Sequence, residues 1–405
     1  MIVYFVVPFF MEATLRFVEG AGRLPGVRLA LISQDPLERL PPGLRSIIAG
    51  HWRVANGMDP AQIAEAARQL TRRVGAPDRI IGTLEQLQVP LAEVRAHFGL
   101  GGLSVEAARK FRDKATMKAA LEHAGLPCAR YRLATAAADA RAFVAEVGLP
   151  VVVKPPAGAG AVNTFRLDDA VELERYLASH PPSADWPVLL EEFLRGEEHS
   201  FDAVLVDGRM VWHSISHYRP APLTVLENPW IQWCVLLPRA IDTPEFEDVR
   251  RVGFQALSTL GLDTGMSHME WFRRAAGGIA ISEAGARPPG AQFTTLISYA
   301  HDCDFYSAWP RLMIHGEFAV PERRYATGAA YVRGLGAGRV KAIHGLEQAQ
   351  REVGPIAVES QLPRLGATQP GGYEGAGYII LRHPETAVVE QGLQRIVETL
   401  RIELG

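Results

Sequence analysis

Cysteine is scarce in this chain of 405 residues. The three cysteines, Cys128, Cys234 and Cys303, lie far apart and form neither a C-x-x-C motif nor a metal-ligand spacing. A low and odd number of cysteines is typical of a reducing compartment, so we predict a cytoplasmic protein. Each thiol is interpreted as a small, inert hydrophobic group, because free cysteines are usually buried.

A large excess of charge and long apolar runs are also missing. The net charge of −3 provides no overall attraction to nucleic acid or to an anionic membrane. No run approaches the roughly 18 apolar residues that a membrane span needs. The opening MIVYFVVPFF lacks the basic segment and cleavage site of a signal peptide, and Pro8 interrupts it. It predicts the first β-strand of a soluble protein that has neither a nucleic-acid nor a membrane partner.

Two glycine-rich nucleotide motifs are absent. No G-x-G-x-x-G follows the first strand, and the chain contains no G-x-x-x-x-G-K-[ST]. The first hundred residues nevertheless alternate strand patterns (2–7, 27–33, 79–82) with helical patterns (60–74, 84–98), and Asp59 is a candidate N-cap. This alternation predicts an open α/β domain that holds no dinucleotide.

The rest of the chain contains further helical and strand patterns and, with 48% hydrophobic residues overall, enough apolar side chains for several cores. Helices are predicted over 115–125, 136–147 and 168–179, around a β-branched strand at 151–154. A hairpin follows at 199–218, with Asp207–Gly208 as a type I′ turn, and another at 265–286. Helices are expected around 244–260, 299–315 and 386–402, and short strands after Pro321 indicate a change of architecture.

Positively charged groups stand next to flexible backbone in one part of the chain. Lys154 ends a strand and precedes the turn PPAGAG, which is suited to cradling phosphate, although an ordinary turn would look the same. Lys114, in FRDKATMK, could equally be a surface lysine. The segment EEFLRGEEHSFD, residues 191–202, is either a solvated charged turn or a strand edge that binds adenine and ribose.

The second hairpin brings two carboxylates together. Glu270 and Glu283 lie on adjacent strands and can face the same side, where a cation would relieve their repulsion. Oxygen ligation by carboxylates and phosphates is the chemistry of Mg²⁺. Arg287, four residues later, can reach a phosphoryl oxyanion. A cross-strand salt bridge within the hairpin is the alternative interpretation.

Substrate contacts are less clearly marked. Trp230, Trp233 and Arg239, in a segment rich in Pro and Trp, could form a pocket for a carboxylate with an apolar side chain, or belong to a Trp-rich core. His268 lies on the same strand face as Glu270, so it either lines the site or pairs with a buried carboxylate.

The order of these motifs resembles the ATP-grasp superfamily, and most closely its carboxylate–amine ligase branch, which includes L-amino-acid ligases and relatives of biotin carboxylase. The resemblance covers most of the chain and is tightest at HMEWF and ISEAGARPPG. It implies a mixed α/β and α+β protein with three parts. These are a Rossmann-like pre-ATP-grasp domain (1–104), a two-lobed ATP-grasp domain (105–320, with lobes of about 115–190 and 191–320) and a small α+β C-terminal domain (321–405).

The resemblance also implies roles for individual residues. Lys114 and Lys154 would hold the phosphates of ATP, and a flap from Ala157 to Ala161, which includes Gly158 and Gly160, would cover them. The adenine pocket would be lined by Glu191, Phe193 and Leu194, and Glu198 would hold the ribose. Glu270 and Glu283 would bind Mg²⁺, and Arg287 would stabilise an acyl-phosphate. Position 285, where the family usually has Asn, is Gly here, so a second Mg²⁺ would have fewer protein ligands or more water.

We therefore predict an ADP-forming ligase that activates a carboxylate as an acyl-phosphate for attack by an amine. It would use ATP and Mg²⁺, and a homodimer is one assembly that the resemblance allows, since relatives of this branch are commonly dimers. A non-catalytic ATP-binding regulatory module is the alternative that Gly285 favours, whereas the retained lysines, glutamates and arginine favour catalysis. A bicarbonate-activating enzyme similar to the carboxylases is the third interpretation.

Overall fold

The structure is a computed structural model that describes residues 1–158, 163–228, 230–335, 338–368 and 374–405. Its four sheets and surrounding helices confirm the predicted combination of α/β and α+β units. Among the described residues, no helix is both long and apolar enough to cross a membrane.

The N-terminal part is an open α/β unit. Its elements are β1 (Ile2–Val6), α1 (Glu12–Gly22), β2 (Arg28–Ser33), α2 (Pro42–Arg45), β3 (Ile48–Arg53), α3 (Pro60–Val74), β4 (Arg79–Ile81) and α4 (Gln88–His97). The four strands are parallel, in the order β3-β2-β1-β4. The predicted N-cap is confirmed, since the Asp59 side chain accepts a hydrogen bond from the Ala61 backbone N–H. Strand β3 was not predicted, because its segment IAGHWR lacks a long apolar run.

The second part forms a small antiparallel lobe. It contains α5 (Val105–Arg112), α6 (Lys114–His123), β5 (Tyr131–Ala134), α7 (Ala137–Val147), β6 (Val151–Lys154), β7 (Phe165–Leu167), α8 (Ala170–Ser179) and β8 (Val188–Glu192). The sheet order is β5-β8-β6-β7, and Val151, Val153 and Leu190 are in the core between this sheet and its helices. Lys154 is the last residue of a central strand, as predicted, so its side chain leaves the sheet at a fixed position.

The third part is built on long hairpins. Its elements are β9 (Gly196–Val206), β10 (Arg209–Arg219), α9 (Pro222–Glu227), β11 (Trp233–Leu237), α10 (Glu247–Leu260), β12 (Gly265–Arg274), β13 (Ile279–Gly285), α11 (Phe293–His301) and α12 (Phe305–His315). Asp207 and Gly208 both have positive φ, at 49° and 70°, which confirms the predicted turn between β9 and β10. The single helix predicted over 299–315 is two helices, α11 and α12.

The C-terminal part continues the sheet of the third part. It contains β14 (Ala326–Val332), β15 (Gly334–Leu335), β16 (Val340–His344), α13 (Leu346–Val353), β17 (Ala357–Gln361), β18 (Gly377–His383), α14 (Thr386–Thr399) and β19 (Arg401–Leu404). One eight-stranded sheet has the order β13-β12-β9-β10-β11-β14-β18-β17, and a small sheet has the order β15-β19-β16. The last helix ends at Thr399 and is followed by β19, whereas the prediction extended it to residue 402.

Three histidines lie on β9 and β10, on the face of the sheet that packs against α10; His199 is buried, and the other two are half-buried. The His199 ring stacks on Trp271, with centroids 4.5 Å apart, and meets the edge of His217 at 4.6 Å. Burial lowers the pKa of His199, His213 and His217 to about 4 in each case. The folded state therefore keeps these rings neutral at a pH where the unfolded chain protonates them.

We expect this histidine group to make the fold sensitive to mild acid. Because the folded pKa lies below the unfolded value of about 6.5, stability is complete above that pH and is lost as the pH falls toward 4. The measurement is the melting temperature between pH 8 and 4.5, which should be flat above pH 7 and fall below pH 6.5. His217→Phe should reduce this fall, whereas His123→Gln, at an exposed position, should not. An unchanged profile in His217→Phe would contradict the assignment.

Candidate active site

A cavity of about 570 Å³ opens between the N-terminal unit, the small lobe and the large sheet. The turn after β4 contributes Glu85, the small lobe contributes Val152 and Lys154, and the hairpin of β12 and β13 contributes Glu270 and Glu283. Three separate parts of the chain therefore converge on one space, as the order of the sequence motifs predicts.

The link between β8 and β9 forms an apolar wall of this cavity. Phe193 and Leu194 both line it, and Leu194 packs with Ala129, Ala280 and Phe272. The Arg166 guanidinium of β7 lies over the Phe193 ring at 4.4 Å from its centroid, which closes the wall on the side of the small lobe. A flat, apolar wall beside a strand end suits an adenine ring.

Both predicted phosphate lysines are buried and reach the same cavity. Lys114, the first residue of α6, has its Nζ 2.9 Å from Glu283 Oε1 and donates a hydrogen bond to the Gly158 carbonyl at 3.2 Å. Lys154 Nζ is 2.9 Å from Glu191 Oε1. Of the flap predicted over 157–161, the structure describes Ala157 and Gly158, and Gly160 lies outside the described residues.

The Glu191 side chain is buried and contacts two lysines, which a residue that only lined an adenine pocket would not need. Its Oε1 also lies 3.2 Å from Nζ of Lys118, a fully buried lysine that the sequence reasoning did not single out. Burial raises the pKa of Glu191, but the two lysines outweigh it and hold that pKa below the usual range. The only sequence signal for Lys118 is its position four residues after Lys114, which places both on one face of α6.

The two predicted metal ligands face each other across the hairpin. Glu270 and Glu283 are register partners in β12 and β13, and both carboxylates border the cavity. Burial and the charge of Glu283 raise the pKa of Glu270. Burial also raises the pKa of Glu283, yet Lys114 and Lys154 outweigh it, so this pKa is lowered. Glu198, on the neighbouring strand β9, has a pKa raised well above its usual value by burial and by Glu270.

This set of carboxylates suits a hard cation that shares its ligands with phosphate. In the described ranges, no group of three or more His, Cys, Asp or Glu residues could hold a metal ion without further ligands. Glu270 and Glu283 provide two oxygen donors, and nucleotide phosphates and water would complete an octahedral Mg²⁺ shell. The residues present therefore fit a Mg²⁺–nucleotide complex better than an all-protein metal cage.

Arg287 is fixed by a residue from a distant part of the chain. Its Nε lies 2.6 Å from Glu85 Oε2, and its Nη1 donates to the Pro288 carbonyl at 2.9 Å. Glu85 was missed from the sequence, where it is one of many charged residues in a helical pattern and lies 202 positions before its partner. Sequence patterns describe residues that are close in the chain, so they could not predict the contact between Glu85 and Arg287.

His268 both lines the cavity and pairs with a buried carboxylate, so its two interpretations are compatible. Its Nδ1 is 2.7 Å from Asp202 Oδ1, and its Nε2 is 3.9 Å from Glu270 Oε1. Burial lowers the pKa of His268, but Asp202 outweighs it, and the net shift is upward. The ring meets Phe293 edge-on at 5.4 Å.

The structure does not bring Trp230 or Arg239 to the cavity. Trp230 is 53% exposed, and Arg239 contacts Thr386 and the Pro384 carbonyl on the C-terminal part. Trp233, the third residue of that predicted group, does line the cavity, with its ring stacked on Tyr331 at 4.4 Å. The two tryptophans differ because Trp233 begins β11, whose side chains are buried, while Trp230 lies in the turn before it.

Comparison with known proteins gives a consistent result. Residues 112–217 match the family described as "Phosphoribosylglycinamide synthetase, ATP-grasp (A) domain". The L-arginine-specific L-amino acid ligase of Bacillus subtilis is 25% identical over 254 residues, which cover 62% of this chain and 60% of that protein. This chain thus spans about three fifths of that relative.

Solved structures show the same fold along the chain. The L-amino acid ligase from Bacillus licheniformis has a TM-score of 0.77 at 18% identity, covering 100% of this chain and 98% of the other. The N5-carboxyaminoimidazole synthetase from Staphylococcus aureus complexed with ADP has a TM-score of 0.72 at 12% identity, with 98% and 96% covered.

The structure has the fold of these ATP-dependent enzymes, and the segment 112–217 matches an ATP-grasp domain, in agreement with the resemblance. Its sequence relatives include ligases that join a carboxylate to an amine, in agreement with the predicted class of enzyme, an ATP-dependent ligase.

Proposed function

We propose that this protein joins a carboxylate to an amine in two steps that consume one ATP. The carboxylate oxygen attacks the γ-phosphorus, so ADP leaves and an acyl-phosphate forms. The amine nitrogen then attacks the acyl carbon, the carbon–oxygen bond to phosphate breaks, and the nitrogen loses a proton. The observation that carries this proposal is the convergence of two buried lysines, two opposed glutamates and Arg287 on one cavity.

ATP is proposed to lie with its adenine against Phe193 and Leu194 and its phosphates near Lys114 and Lys154. Both lysines now pair with carboxylates, Glu283 and Glu191 respectively, and anionic phosphates would offer them stronger partners. Glu198 lines the same cavity on β9, within reach of the ribose hydroxyls. Catalysis would then depend on positioning and charge neutralisation, because phosphoryl transfer needs little covalent help from the protein.

Glu270 and Glu283 would hold Mg²⁺. When bound, the ion would neutralise charge on the phosphates and supply a positive centre between two carboxylates that repel each other. Lys114 would stay close to Glu283 and keep it ionised for this role.

The substrate carboxylate is proposed to lie beside Arg287 and His268. Aromatic side chains of Tyr218, Trp233 and Phe293 line this end of the cavity, and they suit an apolar portion of a substrate. The relative that acts on L-arginine supports amino acids as the class to test first.

Release of ADP and phosphate from Mg²⁺–ATP tests this function. The purified protein would be assayed with pairs drawn from amino acids, dipeptides and polyamines, and also with bicarbonate, and mass spectrometry would identify the products. We expect release that needs both members of a pair, with a product lighter by one water than their sum. Release with bicarbonate alone would assign a carboxylase-type activity, and nucleotide binding without release on any pair would assign a regulatory role.

We further propose a cytoplasmic homodimer. The low cysteine content supports the compartment, and the biotin carboxylase domain of Hydrogenobacter thermophilus 2-oxoglutarate carboxylase, a structural neighbour, was solved as a dimer. Light scattering of the purified chain at micromolar concentration tests the assembly, and a mass of one chain would contradict it.

A further inference from the structure

The glycine at the end of β13 leaves room for a side chain from another part of the molecule. A Cβ added at Gly285 would lie 2.7 Å from Glu85 Oε2 and 3.5 Å from its Cδ. Gly285 is absent from the glycines that adopt positive φ, so its backbone conformation is open to other residues. The requirement for glycine here is therefore one of space, and Glu85 takes up that space.

Glu85 is mounted on a rigid turn. It begins a short 3₁₀ turn four residues after the end of β4, in a segment whose Gln88 side chain donates hydrogen bonds to the Gly82 and Leu84 carbonyls. Its side chain is 7% exposed, and its carboxylate is held by Arg287 at 2.6 Å. A buried carboxylate in contact with one arginine has little freedom to move aside, so an added Cβ at position 285 would disturb the ion pair.

The contacts of Arg287 leave one part of its guanidinium for a ligand. Nε pairs with Glu85 and Nη1 with the Pro288 carbonyl, while Nη2 has no hydrogen-bond partner among the residues that the structure describes. The planar guanidinium has a fixed geometry, so holding two of its nitrogens sets the direction of the third.

We propose that Glu85 and Gly285 act together as a positioning device for Arg287. Gly285 lets the carboxylate of the N-terminal unit reach the arginine, and Glu85 then orients Nη2 toward the reacting phosphoryl group. This proposal rests on the proposed ligase function. It also explains why position 285 is Gly in this chain. The space of the Asn side chain that the resemblance predicts there is taken by the carboxylate of Glu85, from the N-terminal unit.

A double-mutant cycle of Glu85→Ala and Gly285→Ala tests the device. We expect Glu85→Ala to lower kcat by about 100-fold, because the arginine loses its orientation, while KM for ATP changes less than about threefold. Gly285→Ala should lower kcat in the parent protein. It should have less than about a twofold effect in the Glu85→Ala background, because the obstructing carboxylate is gone. Glu85→Gln keeps the shape and one acceptor, so it should fold normally and lose about tenfold in kcat.

Matched controls exist in the same unit. Glu38→Ala removes an exposed glutamate from a similar turn after a strand, and Gly101→Ala adds a methyl group where nothing lies within 4 Å. Both should retain the parent kcat. Additive losses in the cycle would overturn the proposal. So would a Glu85→Ala variant that keeps kcat and binds the carboxylate substrate more tightly, since that would make Glu85 a competitor for Arg287.

Melting temperature is the second measurement, and it separates this proposal from the ligase function. Gly285→Ala should lower the melting temperature of the parent protein but not of Glu85→Ala. If no substrate pair releases ADP, the proposed ligase function is wrong, but the melting temperatures of the double-mutant cycle still show whether positions 85 and 285 interact. If the parent is active and both cycles are additive, the positioning device alone is wrong.

Discussion

Replacing Glu283 with Gln is expected to lower the rate of ADP release by about three orders of magnitude while the protein remains folded. Glu283 lies 2.9 Å from Lys114 and opposite Glu270, so its carboxylate is the one that both neutralises the lysine and completes the proposed metal site. An amide has no charge to offer a hard cation. The measurement is kcat at saturating Mg²⁺ and substrates.

Glu197→Gln is the matched control for this prediction. Glu197 lies on the adjacent strand β9, and its side chain is 81% exposed, so its neutralisation should leave the rate unchanged. A Glu283→Gln enzyme with near-normal activity would refute the assignment of Glu283 as a metal ligand.

Replacing Lys154 with Met is expected to reduce kcat/KM for ATP by about 1,000-fold. The methionine fills a similar volume but removes the positive charge that now lies 2.9 Å from Glu191. Glu191 would keep Lys118 as a partner, so the fold should survive. Loss of affinity for a fluorescent ATP analogue would show that the defect is in nucleotide binding.

Lys341→Met serves as the control for the charge change. Lys341 is 67% exposed and pairs with Glu403 on the small C-terminal sheet, so its removal should alter neither affinity nor rate. A Lys154→Met protein that binds ATP as tightly as the parent would contradict a phosphate role for Lys154.

Local patterns predicted much of this molecule. Lys154 at a strand end, the turn at Asp207–Gly208 and the pairing of Glu270 with Glu283 all follow from short-range rules on strands and hairpins. These rules work because each feature depends on residues that are close in sequence. The resemblance then connected the separate motifs into one site.

Features that depend on distant contacts could not be predicted in this way. The pairing of Glu85 with Arg287 crosses from the first domain to the hairpin, and no spacing indicates it. The choice between Trp230 and Trp233 depended on where β11 begins, and sequence patterns locate strand ends poorly. Lys118 could not be recognised as buried, since a buried lysine is explained only by the carboxylate that it meets.

The eight-stranded sheet has a consequence for how the protein is made. Strand β11 pairs with β10 on one side, but its neighbour on the other side is β14, and β14 in turn needs β18. On the ribosome, the hairpins that carry the active site emerge well before residues 377–383. Until then the growing chain presents an unpaired strand edge, the kind of surface that promotes aggregation. The strands that complete the sheet beneath the cavity are thus translated after the hairpins that line it.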